Sequence, residues 1–348
     1  MPLSLGITAM PFTGEGVDYV IEAERLGASS VWVPEFWAYD AFTPLASLAR
    51  VTHTITLATG IAQIDARTPA MLAMSSMSLQ ALSERRFVLG IGTSGPQVME
   101  GWYGVDFSRP ITRTRETIEI VRAITAGERL EHDGDAYELP RPGGLGRALR
   151  SMAPPVEVPI YVASLGPANL ALTGAMADGW IGNSFFPETA DVFFDPIAAG
   201  AADAGRSIDD VDLTVAVSCE FTDDPDEAGR RHADGYAFTF GAMGSGKSNF
   251  YNEAFARQGY GDDVAEVQRL WKSGDRQGAA ARVPVEIWLG TNLIGPPEEI
   301  TRRLRLYRDC GVDTLRVNPM GDTLGAQLDG LGQLLDLIET VNGDDEPG

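Results

Sequence analysis

Short apolar runs of strand length alternate with amphipathic helical stretches along nearly the whole chain. This alternation limits the possible folds more than any other feature. The strand-like runs are LSLGIT (3–8), SSVWVPE (29–35), TITLATGIA (54–62), RFVLGIG (86–92), PIYVASLG (159–166), GWIGNSF (179–185), LTVAVSCEF (213–221) and TLRVNP (314–319). Helical patterns lie between them at 17–28, 44–51, 69–83, 112–127, 167–177 and 191–205, and a last one spans 324–341. Eight strands buried on both faces and followed by helices read as an α/β chain forming a closed parallel (β/α)8 TIM barrel. Periodicity does not separate a closed parallel sheet from a doubly wound open one, so the open sheet stands as the second reading.

The 348 residues suit one such domain, because no internal repeat or linker-like break divides them. The expected domain covers 1–341, with a disordered tail, NGDDEPG, at 342–348. Two insertions interrupt it. LEHDGDAYELPRPGG (130–144) reads as a hairpin with Asp133-Gly134 at its turn. A longer insertion spans about 226–312, between strands seven and eight.

Charge narrows the function. With 49 acidic against 27 basic residues the formal charge is −22, which disfavours nucleic-acid backbones and anionic membrane surfaces as partners. Two cysteines, Cys219 and Cys310, share no C-x-x-C spacing, so neither a disulfide framework nor a metal site is expected, and both belong at packed positions. The N-terminus lacks the pattern of a signal peptide, and no apolar run reaches membrane-spanning length. The expected protein is cytoplasmic, a homodimer, and acts on a small molecule.

GAMGSGKSNF (241–250) contains the P-loop spacing G-x-x-x-x-G-K-S. A phosphate-binding P-loop leaves a buried strand, yet here Ala233, Tyr236, Ala237 and Phe240 precede it at helical spacing. No later apolar run ends in the Asp that would help hold magnesium, since the strand-like VEIWLG (285–290) and TLRVNP do not. Nucleotide hydrolysis is therefore not supported. The segment reads as an excursion between two helices, either purely structural or a lid that brings Met243 and Lys247 to the mouth.

In a parallel barrel the chemistry lies at the carboxyl ends of the strands. Those ends carry Met10, then Glu35-Phe36-Trp37, Thr59-Gly60-Ile61, Gly92-Thr93-Ser94-Gly95, Ala163-Ser164-Leu165-Gly166-Pro167 and Gly182-Asn183-Ser184. The set is aromatic, hydroxylic and glycine-rich. His53, His132 and His232 lie elsewhere, so hydrolytic nucleophile chemistry has no base. Flat apolar walls with glycine turns suit a planar organic cofactor. Gly166-Pro167 opens a helix whose Ala168 and Asn169 amides either receive a phosphate or form an ordinary helix start. Glu35 reads as a base, a hydrogen-bond acceptor or a solvated loop residue. Trp37 and Trp102 read as pocket walls or core.

SVWVPEFWAYDAFTPLASLA, TGIA with ARTPAMLAM, and RFVLGIGTSGPQVMEGWYGV resemble the bacterial luciferase-like family, in the branch near the methylenetetrahydromethanopterin reductases that depends on coenzyme F420. YVASLGPANLALTGAMADGWIGN, GAMGSGKSNFYN and LIGPPEEITRRLRLYRDCGVDTLRV extend the resemblance over essentially the whole chain. It implies a deazaflavin at the barrel mouth and hydride transfer to or from a small substrate. It further implies a cis peptide at Gly60–Ile61 backing the ring and a phosphate at Ser164, Leu165, Gly166, Pro167, Ala168 and Asn169. Thr93, Ser94, Ala163 and Asn183 complete the implied cofactor set. Glu35 and Trp37 are the catalytic candidates, and Met10, Phe36, Trp102, Met243 and Lys247 the substrate pocket. Several relatives carry Asp-His where this chain has Glu35-Phe36, so imidazole-based proton transfer has no residue there. FMN in a monooxygenase of the same fold is the alternative, and a deazaflavin-binding protein with little turnover is the third reading.

Overall fold

A computed structural model of the chain describes residues 2–243, 249–319 and 321–344. Among them, eight parallel strands form a ring: β1 (Ser4–Thr8), β2 (Ser30–Val33), β3 (Thr56–Thr59), β4 (Phe87–Gly92), β5 (Ile160–Ala163), β6 (Gly179–Gly182), β7 (Asp212–Phe221) and β8 (Thr314–Pro319). Neighbours in sequence pair in space, β6 pairs with β7, and β8 returns to β1 in the register Ser4–Thr314 to Ile7–Val317. That return closes the sheet and removes the open-sheet reading. Around it run α1 (Gly14–Leu26), α2 (Phe42–Leu48), α3 (Pro69–Leu82), α4 (Pro110–Thr125), α5 (Pro167–Met176), α6 (Asp191–Asp203), α7 (Pro297–Asp309) and α8 (Leu324–Gly343).

Successive strand side chains point to opposite faces. Leu5, Ile7, Val31, Val33, Leu89 and Ile91 therefore join the main core beneath the helices. The alternate positions turn inward, where Trp32, Ala58, Val88 and Ile181 form a separate cluster with Tyr161 against it. Closure is tight at one point: a Cβ on Gly90 would stand 2.0 Å from the Thr59 carbonyl oxygen. The Thr59 hydroxyl in turn donates to Gly90 O at 2.7 Å.

Three expectations need adjustment. The strand-like VEIWLG is a helix, Val285–Gly290, whose Ile287 and Trp288 turn into a local core. A short apolar run carries no period of its own, which is why it misled. Helices Pro225–Ala242, Phe250–Phe255, Gly261–Lys272 and Arg276–Arg282 share that core through Ala237 and Phe240, Phe255, Val267 and Ala279 respectively. The expected insertion ran on to 312, yet α7 buries Ile300, Leu304 and Tyr307 in the main core as a barrel helix does. The expected tail also starts too early. α8 runs to Gly343, and the Asn342 side chain exchanges bonds of 2.8 and 3.0 Å with the Leu3 backbone, while 345–348 lie outside the described residues.

The 130–144 hairpin pairs His132–Asp133 with Glu138–Leu139. Its turn is 134–137, so Asp133 is the last paired residue and Gly134 opens the turn. Glu116 of α4 fixes this geometry by accepting from the amides of Asp135, Ala136 and Tyr137 at 2.9, 3.0 and 2.9 Å. No helix among the described residues is long and apolar enough to cross a membrane.

Burial would raise the Glu116 pKa, but the three amides outweigh it and hold the carboxylate below its ordinary value. A carboxylate whose folded pKa is depressed stabilises above its unfolded pKa, and that contribution is lost as pH falls through the folded value. Glu116→Gln should therefore cost about 1–3 kcal/mol at pH 7, the range for orphaned buried hydrogen-bonding groups. Urea unfolding of both proteins checks this, and the gap should shrink toward acid pH. A gap independent of pH would remove the charge-based account.

Candidate active site

The carboxyl end of the barrel is lined by small inward residues. Ala163 on β5 and Ala216 on β7 are part-exposed there, above the Trp32–Tyr161–Ile181 plug. The peptide Gly60–Ile61, which follows β3, is cis. A Cβ on Gly60 would lie 3.1 Å from Trp32 Cβ, and one on Gly92 only 2.9 Å from Ile61 Cδ1. Ile61 therefore lies across Gly92 and forms part of the floor of the mouth.

Beside Gly60 lies a cation that sequence reading missed. Arg316 of β8 is buried, its guanidinium carbon 5.1 Å from the Trp32 ring centroid and its Nη2 3.4 Å from Gly182 O. Its Nε has no hydrogen-bond partner. Desolvation pushes its pKa down to about 10, so it stays charged at neutral pH.

Glu35 is neither solvated nor free. It is 6% exposed, and both its carboxylate oxygens accept from Arg67 Nη1, at 2.7 and 2.8 Å. Gln63 Nε2 donates to its main-chain oxygen at 3.2 Å, tying the loop after β2 to the segment after β3. Burial raises the Glu35 pKa, with the Arg67 charge opposing it. Phe36 and Trp37 follow on the exposed side, with their rings edge to face at 6.3 Å. Met10 and Trp102 are likewise exposed, on the loops after β1 and β4. Met10 also borders a cavity of about 390 Å³ shared with Asn318 and Gln327.

α5 starts at Pro167 with Gly166 as its N-cap, as the Gly-Pro pair predicts. Of the two amides expected to be open there, Asn169 N–H turns back to Gly166 O at 3.0 Å. The Ser164 hydroxyl is buried against Thr173 Oγ1 at 2.8 Å, so only the main chain of Ser164 borders the loop. Ala168 and Pro167 are exposed. A second missed cation reaches this place from the insertion. Arg257 Nη2 donates to Leu165 O, and its Nε is buried without a partner, as is Asn169 Oδ1. Desolvation lowers the Arg257 pKa.

The structure thus gathers Gly60, Ile61, Gly92 and Ala163 at the floor and Leu165 to Asn169 at one rim. Thr93 and Ser94 continue from β4, and Asn183 after β6 bonds the half-buried Tyr251 of the insertion. Met243 ends the helix Pro225–Ala242 and is half-buried, whereas Lys247 lies outside the described residues. That helix, not a strand, precedes the G-x-x-x-x-G-K-S spacing, and Ala233, Ala237 and Phe240 are buried on it as expected. Of the residues missed, Arg316 left one trace, a charge at an inward position of an apolar strand. Arg67 and Arg257 left none, because their partners are remote in sequence.

Residues 6–314 match the Luciferase-like monooxygenase family, and the chain belongs to it. A Mycobacterium tuberculosis protein provisionally named a coenzyme F420-dependent oxidoreductase is 35% identical over 309 residues, which cover 86% of this chain and 89% of that one. The coenzyme F420-dependent tetrahydromethanopterin reductase of Methanopyrus kandleri superposes with a TM-score of 0.78 at 22% identity, covering 96% of this chain and 98% of its own. The Pseudomonas putida oxygenating component of 3,6-diketocamphane monooxygenase, solved with FMN, superposes with a TM-score of 0.67 at 19% identity, covering 97% and 98%. At such identities the two structures establish the barrel alone.

Arg67→Met would leave the Glu35 carboxylate buried without its partner. The expected loss at neutral pH is about 3–5 kcal/mol, as for broken buried pairs. The Glu35 pKa, already raised, rises further, so the deficit is present above that pKa and relieved as pH falls through it. Adding Glu35→Gln should restore most of the stability, read by urea unfolding. A single variant as stable as the parent would sink the account.

Proposed function

We propose that the chain is an oxidoreductase dependent on coenzyme F420, acting on a small organic substrate at the barrel mouth. The observation that carries this is the pairing of a glycine-floored mouth with a rim that keeps a free N–H donor. Arg257 Nε–H is buried and unpartnered beside the α5 N-terminus, and this free donor fits a phosphorylated, planar cofactor. When bound, the deazaflavin would supply hydride transfer.

The chain's own residues would do the rest. Gly60 and Ile61 would back the ring, with Gly92, Ala163, Thr93 and Ser94 beside it and Asn183 across from them. Leu165 to Asn169 and Arg257 would hold the phosphate. Met10, Phe36, Trp37 and Trp102 would exclude water from the substrate. Glu35 would act as a positioning residue, because its carboxylate is committed to Arg67. Assembly as a homodimer belongs to the same reading.

An FMN-dependent monooxygenase is the second reading, supported by the FMN-bound relative of the same fold. Titrating the apoprotein while following tryptophan fluorescence separates the two. Micromolar binding of the deazaflavin is expected, and binding of FMN alone would overturn the choice. For the phosphate rim the test is Gly166→Asp. A Cβ there meets nothing within 4 Å, so the variant should fold. Affinity for the deazaflavin should fall about tenfold or more, equivalent to ~1.4 kcal/mol. Unchanged affinity would remove the phosphate assignment.

A further inference from the structure

Among the described residues Arg316 has no counter-ion. Of the guanidinium's contacts, one is a long bond to Gly182 O at 3.4 Å and another the face of Trp32. Among the described residues no acid pairs with it: Asp212 accepts from Tyr161 at 2.5 Å, Glu35 pairs with Arg67, and Glu220 pairs with Arg231 through Oε1 while its Oε2 stays buried without a partner. The strand neighbours in register with Arg316 are Gly6 and Ala216, which offer no polar side chain. Burying a charge without a partner is strongly unfavourable. A barrel of this kind fills its interior with apolar side chains, as Trp32, Val88 and Ile181 do here. A charge retained at this depth therefore points to a counter-charge that arrives with a ligand.

Position says where the ligand would be. Arg316 Nη1 lies 3.6 Å from where a Gly60 Cβ would stand, so the guanidinium borders the Gly60–Ile61 peptide at the floor of the mouth. Ala216, level with Arg316 on the neighbouring strand, is part-exposed, so the floor is open at this depth. A guanidinium is a flat fork of N–H donors, matched to two oxygens, or an oxygen and a nitrogen, in one plane. Backed by the Trp32 face and flanked by Gly60 and Gly182, it accepts a flat group.

The geometry points to Arg316 as the anchor for a planar anionic group of the molecule bound in the mouth. That group is either a substrate carboxylate or the N–C=O edge of the cofactor ring. The inference deepens the proposed function and rests on its placement of the ligand. It concerns a residue to which the sequence motifs gave no role.

The test uses Arg316→Met, of similar reach and no charge, and Arg316→Lys, which keeps the charge but loses the fork. Each protein is titrated with oxidised coenzyme F420 by tryptophan fluorescence. Separately, each is titrated with acetate and oxalate at constant ionic strength, read as a shift in thermal midpoint against chloride. For Arg316→Met the ligand-free midpoint should hold or rise, because an unpaired buried charge is gone, while affinity for one probe falls at least tenfold. Arg316→Lys should fall between. Loss confined to the cofactor titration assigns the ring edge, and loss confined to the carboxylates assigns the substrate. The inference is overturned if both probes bind Arg316→Met within twofold of the parent. It is equally overturned if the midpoint drops while affinity stays, which marks a structural arginine. Should Arg316→Met not fold, Arg316→Lys decides by the same affinity criterion. If the parent protein binds carboxylates but not the deazaflavin, the cofactor reading fails and Arg316 is still decided by the second arm. Binding of neither probe by the parent ends the inference too.

Discussion

Closure of the parallel sheet is the constraint on which the rest depends. Once β8 pairs with β1 and β6 with β7, every strand residue is committed either to the helices or to the barrel interior. The outward set is apolar apart from Thr59 and supplies the main core. The inward set then divides along the axis, with bulky Trp32, Tyr161 and Ile181 filling the middle and Gly60, Gly92, Ala163 and Ala216 leaving room above. The site is the unfilled end of the same layer of side chains.

Three arginines give that end its electrostatic character, each held differently. Arg67 is neutralised by Glu35, and their pair joins the loops after β2 and β3. Arg257 is anchored by a main-chain oxygen and keeps one nitrogen in reserve beside α5. Arg316 is held mainly by a ring face and a distant carbonyl. The first ties the scaffold together, while the other two keep donors unspent. Hydrogen-bonding capacity left unused in a buried, water-poor place is where a ligand gains most from complementarity.

Much of the fold was legible because strands buried on both faces write continuous apolar runs. The run 29–35 overshot β2, since Pro34 and Glu35 leave the ladder after Val33. The run 54–62 likewise overshot β3, which ends where the Gly60–Ile61 bond turns the chain. VEIWLG failed because six apolar-rich residues fit a buried helix turn as well as a strand. The Gly-Pro pair marked the start of α5 correctly, and family resemblance supplied the cis bond. What stayed hidden were pairings across the chain. Arg67 and Glu35 stand 32 residues apart, and Arg257 meets Leu165 across 92. No local pattern records such contacts, and Glu35 alone gave no sign that its charge was already matched.

The seclusion of Arg316 also bears on how fast a ligand arrives. The chain carries a formal charge of −22, so an anion approaching from solution meets repulsion first. That repulsion is screened over about 8 Å at physiological ionic strength. The attraction of Arg316 is confined to the barrel floor, where salt reaches poorly. Capture of an anion would therefore speed up as salt is added, while escape, governed by contacts at the floor, would change little. On the proposed reading, such a mouth would admit anions slowly and hold them by contact rather than by field.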